Sequence, residues 1–357
     1  MIAFYLPARP PQRMNRDTRF DALSAWLERV LPAPRQSIAP ASFDASFRRY
    51  FRVTLTHEIT LPDSGARATT LIAMDAPPPH ENCGPYVSVA RLLADASVHA
   101  PTVLAKDLTQ GFLLLSDLGT RTYLSELSDA TAPVLYRDAT SALLRWQLAS
   151  RQGVLSPYDE TLLLRELNLF PEWYVARHLG ISLADEQQAV LAAAFRLILD
   201  NNLKQPRVYV HRDYHSRNLM VCPPNPGVLD FQDAVYGPIT YDLVSLLRDA
   251  YIAWDEERQL DWAVRYWERA REARLPVDGD FAAFWRDFEW MGVQRQLKVL
   301  GIFARLYHRD GKDGYLNDLP RVMVYLRSAC ARYRELLPLA RLLDQIEARV
   351  PIVGYTF

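Results

Sequence analysis

The sequence has little of what marks disulfide-stapled, membrane-spanning or strongly charged proteins. Three of its 357 residues are cysteine, an odd and widely separated set, so we expect reduced thiols rather than a disulfide framework. The apolar start of the chain breaks at Pro7, and no apolar run approaches the length of a membrane span. A net charge of −1 gives no general attraction for nucleic acid or an anionic membrane. We therefore expect a cytoplasmic protein that binds neither nucleic acid nor a membrane. We also expect it to be a monomer.

The distribution of residue types predicts two lobes. At 49% hydrophobic residues the chain can bury a full core, and its length favours two lobes over one compact unit. Strand-like segments rich in aromatic and β-branched residues occur early in the chain, at 46–56, 69–74, 102–105 and 112–115. Helical periodicity is found at 20–31, 86–96, 124–201 and beyond 242. These patterns predict an α+β fold with a small β-rich lobe, residues 1–116, and a large mainly helical lobe, residues 117–357.

Two polar motifs lie between apolar strand-like runs. Residues 211–218 read H-x-D-x-x-x-x-N, and a D-F-x motif begins at Asp230, seventeen residues after Asp213. Each motif alone is a weak signal, but the pair is typical of a phosphoryl-transfer site. Asp213 is the candidate catalytic base, while Asn218 and Asp230 offer the oxygen ligands that Mg²⁺ prefers. The alternative is that these side chains only cap or hydrogen-bond the loops.

Neighbouring polar residues are better suited to hold the loops in place than to take part in catalysis. His211 is expected to hold the loop by packing and hydrogen bonding, because Asp213 is the better placed base. Asp233 is a candidate partner for the groups around Asp230, and Asp242 is expected to anchor the loop by accepting hydrogen bonds.

With these motifs the chain resembles the aminoglycoside phosphotransferase and choline kinase family. Residues 241–243, Tyr-Asp-Leu, resemble the family's D-L/I-A element. Residues 47–52, 169–174, 230–233 and 293–301 resemble the branch that contains anomeric kinases of N-acetylmuramate and N-acetylglucosamine. The resemblance implies a protein-kinase-like bilobal fold, use of ATP and Mg²⁺, and phosphorylation of the sugar C1 hydroxyl in cell-wall recycling. Two alternatives stay open: a kinase of an amino alcohol or aminoglycoside, and a nucleotide-binding pseudokinase.

The small lobe departs from the usual kinase pattern. The turn expected to cover the phosphates, residues 41–46, contains no glycine, and residues 71–75 contain no lysine where the phosphate-binding lysine is normally found. An arginine is a possible substitute, because a guanidinium can hold phosphate oxygens at two points. The candidate nucleotide-binding residues are Ser46, Arg48, Arg49 and Arg52 on the sheet, with Ser116 and Leu118 at the junction of the lobes.

The acceptor is expected to be neutral or acidic. Residues 265–334 carry fourteen Lys or Arg against nine Asp or Glu, whereas a polycationic aminoglycoside would favour an acidic surface. Sugar hydroxyls and a lactyl carboxylate require fixed polar groups. The candidate acceptor-binding residues are Glu172, Tyr214, His215, Arg248, Asp249 and Arg295. The alternative for Arg295, together with Lys298, is a solvated stripe on a helix.

Overall fold

The structure is a computed structural model that describes residues 17–43, 47–62, 65–78 and 80–348. The chain divides into two compact units. One lies within residues 1–83 and 103–117, and the other within residues 84–102 and 118–357. The first unit is built on a sheet and the second mainly on helices, which confirms the predicted α+β fold class.

The first unit contains a five-stranded antiparallel sheet. Its strands are β1 (Arg35–Phe43), β2 (Arg49–Thr60), β3 (Arg67–Asp75), β4 (Val103–Asp107) and β5 (Phe112–Ser116). Their order across the sheet is β1-β2-β3-β5-β4. The predicted hairpin corresponds to β2 and β3, and the two later predicted strands correspond to β4 and β5. The edge strand β1 was not predicted, because its Pro40 and small polar residues give no clear strand signal.

One face of this sheet packs against helix α1 (Thr18–Val30). Asp17 caps the N-terminus of the helix: its carboxylate accepts a hydrogen bond from the Phe20 amide across 3.0 Å and satisfies a donor that the first turn leaves unpaired. Buried residues of α1 meet buried residues of the central strands, and this core includes Leu23, Trp26, Leu27, Val53, Leu71, Ala73, Phe112 and Leu114.

The second unit is mainly helical. Its α-helices are α2 (Gly84–Asp95), α3 (Tyr123–Glu126), α4 (Ala132–Leu148), α5 (Glu160–Leu167), α6 (Asp185–Asn202), α7 (Tyr241–Leu247), α8 (Glu256–Glu272), α9 (Phe281–Asp310), α10 (Leu319–Arg332) and α11 (Leu337–Ala348). A π-helix spans Phe170–His178, and 3₁₀ helices span Asp313–Asp318 and Arg334–Leu336. Two short antiparallel pairs complete the unit: β6 (Arg207–Val210) with β9 (Val235–Pro238), and β7 (Leu219–Met220) with β8 (Gly227–Val228).

The thirty-residue helix α9 runs through the core of this unit, and residues 288–301 are all buried. Its backbone closely approaches the residue that precedes the π-helix. A Cβ atom added to Gly301 would lie 2.4 Å from the carbonyl carbon of Leu169, so glycine allows this contact. Because polar and charged residues interrupt it, α9 is not a membrane span, and no other helix in the described ranges is long and apolar enough to be one.

Candidate active site

The structure brings the two catalytic motifs together. One loop joins β6 to β7 and carries Asp213 and Asn218, and another joins β8 to β9 and carries Asp230. The backbone amide of Leu229 donates to the carbonyl oxygen of Asn218 across 2.9 Å. The side-chain amide of Asn218 donates to the carbonyl oxygen of Asp213 at 2.9 Å and approaches Oδ2 of Asp230 at 3.5 Å. The three candidate residues thus form one cluster.

Both loops contain a residue with a left-handed backbone. Arg212 has φ 77° and Asp230 has φ 60°, a region that residues with a side chain rarely adopt. The carboxylate of Asp242 accepts hydrogen bonds from the amides of His211 and Arg212, at 2.6 and 3.0 Å. Asp242 therefore anchors the loop beside Asp213, as predicted, and offsets the cost of the unusual backbone.

The chemistry of the cluster suits a magnesium ion. Among the described residues, Asn218 forms side-chain hydrogen bonds through its amide nitrogen and none through its amide oxygen. Gln232 donates a hydrogen bond to Oδ1 of Asp230 at 2.8 Å. Two protein oxygens leave further coordination positions for phosphate oxygens and water, as Mg²⁺ sites usually do. Within the described ranges no three His, Cys, Asp or Glu side chains converge as a separate metal site.

Asp213 is ionised at neutral pH. Burial raises its pKa, but the positive charge of Lys298, with smaller effects from His215 and Arg212, outweighs burial and lowers the pKa to about 2. An ionised carboxylate at this position can accept a hydrogen bond from a hydroxyl group and orient it.

A buried ionic network lies behind the loop. Glu166 of α5 pairs with Arg212 of the loop and lies 3.3 Å from the ammonium nitrogen of Lys298 of α9. Lys298 also donates to the hydroxyl group of Tyr241 at 2.8 Å, and the hydroxyl group of Tyr158 donates to Glu166. Burial raises the pKa of Glu166, but the charges of Lys298 and Arg212 lower it overall, so the carboxylate stays ionised between two cations.

The sequence did not identify this network. Arg295 and Lys298 are 3% and 5% exposed, so the alternative of a solvated stripe was wrong. A charged residue inside a buried helix requires a partner, but the spacing of residues in the sequence did not show that this helix is buried.

Two acceptor candidates interact electrostatically: His215 of the catalytic loop and Arg295 of α9. The positive charge of Arg295 contributes to the lowered pKa of His215, after burial as the main cause. Nδ1 of His215 is buried and has no hydrogen-bond partner among the described residues. Arg295 donates to the carbonyl oxygen of Arg248 at 3.4 Å, and its guanidinium forms no ion pair within the described part of the chain. Asp249 accepts hydrogen bonds from the amides of Ser216 and Tyr251, at 2.9 and 2.8 Å, and thereby holds the loop.

The remaining acceptor candidates have other surroundings. The hydroxyl group of Tyr214 is buried and donates to the carbonyl oxygen of Ala139 at 2.8 Å, which is a packing role. The Arg248 guanidinium pairs with the buried Glu289 at 2.9 Å. Glu172 is exposed on the π-helix and interacts electrostatically with Arg305. Arg305 follows Arg295 by ten residues, or about 15 Å along a helix, so Glu172 is not grouped with His215 and Arg295.

The three arginines predicted for the nucleotide have carboxylate partners within the first unit. Arg48 lies 2.8 Å from Glu81, and Arg52 donates to both oxygens of Asp117 at 2.6 and 3.0 Å. Arg49 pairs with Asp17 and with the fully buried Asp75, the latter at 2.6 Å. Arg49 thus connects α1 to β3, an arrangement that favours a structural role.

Two further nucleotide candidates lie close together in the sequence. Ser116 is buried at the end of β5, and Leu118 belongs to the second unit. Ser46 lies outside the described residues.

Comparison with known proteins identifies the family. Residues 37–279 match the model of the phosphotransferase enzyme family. The chain belongs to this family. It is 50% identical over 343 residues to an N-acetylmuramate/N-acetylglucosamine kinase of Pseudomonas aeruginosa, covering 93% of this chain and 98% of that protein. A kinase of the same name from Pseudomonas putida is 47% identical, covering 94% and 98%.

Solved structures show the same fold at low identity. A choline/ethanolamine kinase family protein from Mesorhizobium loti superposes with a TM-score of 0.59 at 14% identity, covering 92% of this chain and 99% of that one. The predicted kinase-like fold and phosphotransferase class are therefore both confirmed. As a phosphotransferase, the chain requires an acceptor-orienting base and charge neutralisation at the phosphates.

Proposed function

We propose that this phosphotransferase transfers the γ-phosphoryl group of ATP to the C1 hydroxyl of N-acetylmuramate and N-acetylglucosamine, in the recycling of cell-wall sugars. The observation that carries the proposal is the cluster of Asp213, Asn218 and Asp230 in a chain so similar to kinases named for these two sugars. The cluster supplies the groups for phosphoryl transfer, and the similarity supports the acceptor.

Asp213 is the proposed base. Its ionised carboxylate would accept a hydrogen bond from the C1 hydroxyl and hold the oxygen in line with the γ-phosphorus. As the bond between O1 and phosphorus forms, the bond to the leaving ADP oxygen breaks and the hydroxyl proton passes to Asp213. The low pKa of Asp213 keeps the carboxylate ionised and able to orient the hydroxyl group, and positioning is expected to supply much of the rate enhancement.

Asn218 and Asp230 are the proposed ligands of Mg²⁺. The ion would neutralise charge on the ATP phosphates. Gln232 holds one oxygen of Asp230, which restricts the orientation of this carboxylate before the nucleotide binds.

We propose nucleotide contacts from Ser46, Arg48, Arg52 and Ser116 of the first unit and from Leu118 of the second. Either Arg48 or Arg52 would have to exchange part of its carboxylate pairing for phosphate oxygens. For Arg49 we propose a structural role, because its partner Asp75 is completely buried.

For the acceptor we propose His215 and Arg295 as polar contacts. A buried guanidinium is costly without compensating oxygen atoms, and sugar hydroxyl or acetamido oxygens would supply them. Arg295, a buried cation with no ion pair within the described part of the chain, disfavours a polycationic aminoglycoside as the acceptor. We further propose that the enzyme acts as a monomer in the cytoplasm, where ATP and reduced thiols are available.

An acceptor panel tests this proposal. Purified protein with magnesium and ATP is incubated with N-acetylmuramate, N-acetylglucosamine, choline and kanamycin, and ADP release is followed. We expect turnover with the two sugars and background release with the other two. Turnover confined to choline or kanamycin would overturn the acceptor, and ATP binding without turnover on any of the four would support the pseudokinase alternative.

A further inference from the structure

Arg217 is a charged residue of the catalytic loop to which the proposed mechanism gives no role. Its guanidinium carbon lies 3.6 Å from the centre of the Tyr251 ring and 5.6 Å from the centre of the Tyr315 ring. Arg217 takes part in no ion pair within the ranges that the structure describes, although most arginines near the loop do. It is therefore an exposed cation that stacks on aromatic rings and is not neutralised by any carboxylate among the described residues.

The rings beneath Arg217 connect it to the acceptor candidates. The Tyr251 ring packs edge-on against His215, with centroids 5.3 Å apart, and contacts Phe303 at 6.0 Å. The hydrogen bonds of Asp249 fix the backbone on both sides of this contact, at Ser216 and Tyr251. A cation stacked on Tyr251 is thus fixed relative to His215.

Arg217 and its neighbour Asn218 have different partners. Asn218 directs its amide toward Asp213 and Asp230, which is the side proposed for metal and phosphates. Arg217 instead contacts Tyr251 and Tyr315, which belong to the segment after α7 and to the 3₁₀ helix after α9. Asn218 therefore faces the side of the loop proposed for the phosphates, and Arg217 faces the side proposed for the acceptor.

We propose that Arg217, stacked on Tyr251, binds the lactyl carboxylate of N-acetylmuramate and so sets the preference of the enzyme between its two sugars. The proposal rests on the proposed function. N-acetylmuramate carries a lactyl ether on O3 that N-acetylglucosamine lacks, so the two acceptors differ by one carboxylate. A guanidinium pairs with a carboxylate through two parallel hydrogen bonds. Its stacking restricts it beforehand and reduces the entropy lost on binding.

Kinetics with both sugars tests the proposal. In Arg217→Gln we expect kcat/KM for N-acetylmuramate to fall roughly 10- to 100-fold, the range for loss of a charged hydrogen bond. The fall should appear mainly in KM, because the carboxylate is remote from the reacting C1 oxygen. The ratio of kcat/KM values, N-acetylmuramate over N-acetylglucosamine, should fall by nearly the same factor. Arg217→Lys should keep part of the preference, since it keeps the charge but not the two-point geometry.

A change on the substrate isolates the contact. The methyl ester of N-acetylmuramate lacks the negative charge, so the wild-type enzyme should discriminate against it, whereas Arg217→Gln should treat acid and ester alike. Arg271→Gln is the matched control, because Arg271 is also an exposed arginine stacked on an aromatic ring, that of Trp267 at 4.8 Å in α8. It should leave the ratio between the sugars unchanged.

The outcomes separate the two proposals. If the wild-type enzyme phosphorylates both sugars but Arg217→Gln keeps the ratio and the discrimination against the ester, the carboxylate contact is wrong and the kinase function stands. If the wild-type enzyme phosphorylates neither sugar, the proposed function itself fails.

Discussion

Nε2 of His211 donates a hydrogen bond to the carbonyl oxygen of Leu229 across 3.0 Å. This contact joins the loop of Asp213 to the residue before Asp230. Nδ1 of the same ring accepts a hydrogen bond from the Asp213 amide at 3.3 Å, so the ring must be neutral to make both contacts. Burial lowers the pKa of His211 to about 4, in agreement with this arrangement. The histidine of the motif is therefore a link between its two halves.

The first prediction concerns acid stability. The pKa of His211 is 6.5 in the unfolded chain and about 4 in the folded chain. Between these pH values the unfolded chain binds a proton at His211 that the folded chain does not bind. The stability due to the neutral ring is complete above about pH 6.5 and is lost as the pH falls to about 4, by about 3 kcal/mol. His211→Gln should lose this dependence. The free energy of unfolding of both proteins is measured by urea titration at about pH 7 and at about pH 4.5. The difference between wild type and variant should be smaller at the lower pH.

The exposed His57 provides the control. The variant His57→Gln keeps the buried ring of His211, so its stability should depend on pH as that of the wild type does. If the difference in free energy of unfolding between wild type and His211→Gln does not change with pH, the imidazole of His211 is not buried in its neutral form.

A second prediction separates the base from the metal ligand. Asp213→Asn should lower kcat at least about 100-fold, because general base catalysis typically contributes that much or more. It should leave ATP affinity nearly unchanged. Asp230→Ala should instead lose magnesium-dependent ATP binding, measured by calorimetry. Asp129→Asn, at an exposed surface ion pair, is the control for loss of one carboxylate. Full turnover in Asp213→Asn would refute the assignment of the base.

The buried network leads to a third prediction. Glu166→Gln leaves Lys298 and Arg212 without their shared counter-charge, and removing one partner of a buried ion pair typically costs about 3–5 kcal/mol. The free energy of unfolding should fall by about that much in urea titrations. Asp200→Asn breaks the exposed pair with Arg196 and should cost under about 1 kcal/mol. Equal losses in both variants would mean that Glu166 is not held as described.

The fourth prediction concerns Arg49. Arg49→Ala removes one of the two guanidinium partners of the buried Asp75, the other being Arg19. We expect a loss of about 1–3 kcal/mol in stability, the cost of an under-satisfied buried polar group. The KM values for ATP and for the sugar should both stay close to those of the wild type, because a smaller folded fraction lowers the apparent kcat and leaves KM unchanged. A selective loss of ATP affinity would restore the phosphate-binding role predicted from the sequence.

Much of the fold and the reacting groups could be predicted because their signals are local. The spacing from His211 to Asn218 and the D-F-x motif each occupy a few consecutive residues between apolar strands, so both loops were recognisable. The hairpin of β2 and β3 also has a local pattern of strand residues around a polar turn. Strand β1, by contrast, is held by pairing with β2 and has little strand character of its own.

The partners of charged residues could not be predicted, since they depend on tertiary contacts. Glu166 and Lys298 are 132 positions apart, and nothing near either residue indicates the other. Helical spacing placed Arg295 and Lys298 on one stripe, but α9 is buried around most of its circumference, so spacing alone could not distinguish a solvated face from a buried one. The partners of Arg49 could not be predicted for the same reason, because Asp17 and Asp75 are distant from it in the sequence.

Phosphorus NMR of the product identifies the sugar hydroxyl group that receives the phosphoryl group. The enzyme is incubated with magnesium, ATP and N-acetylglucosamine labelled with ¹³C at C1, and with Asp213→Asn as the inactive control. We predict a phosphate-ester signal coupled to the labelled carbon and to the anomeric proton, absent from the control. A product whose phosphorus couples to the C6 protons instead would refute transfer to the C1 hydroxyl, because the enzyme would then phosphorylate a different hydroxyl group.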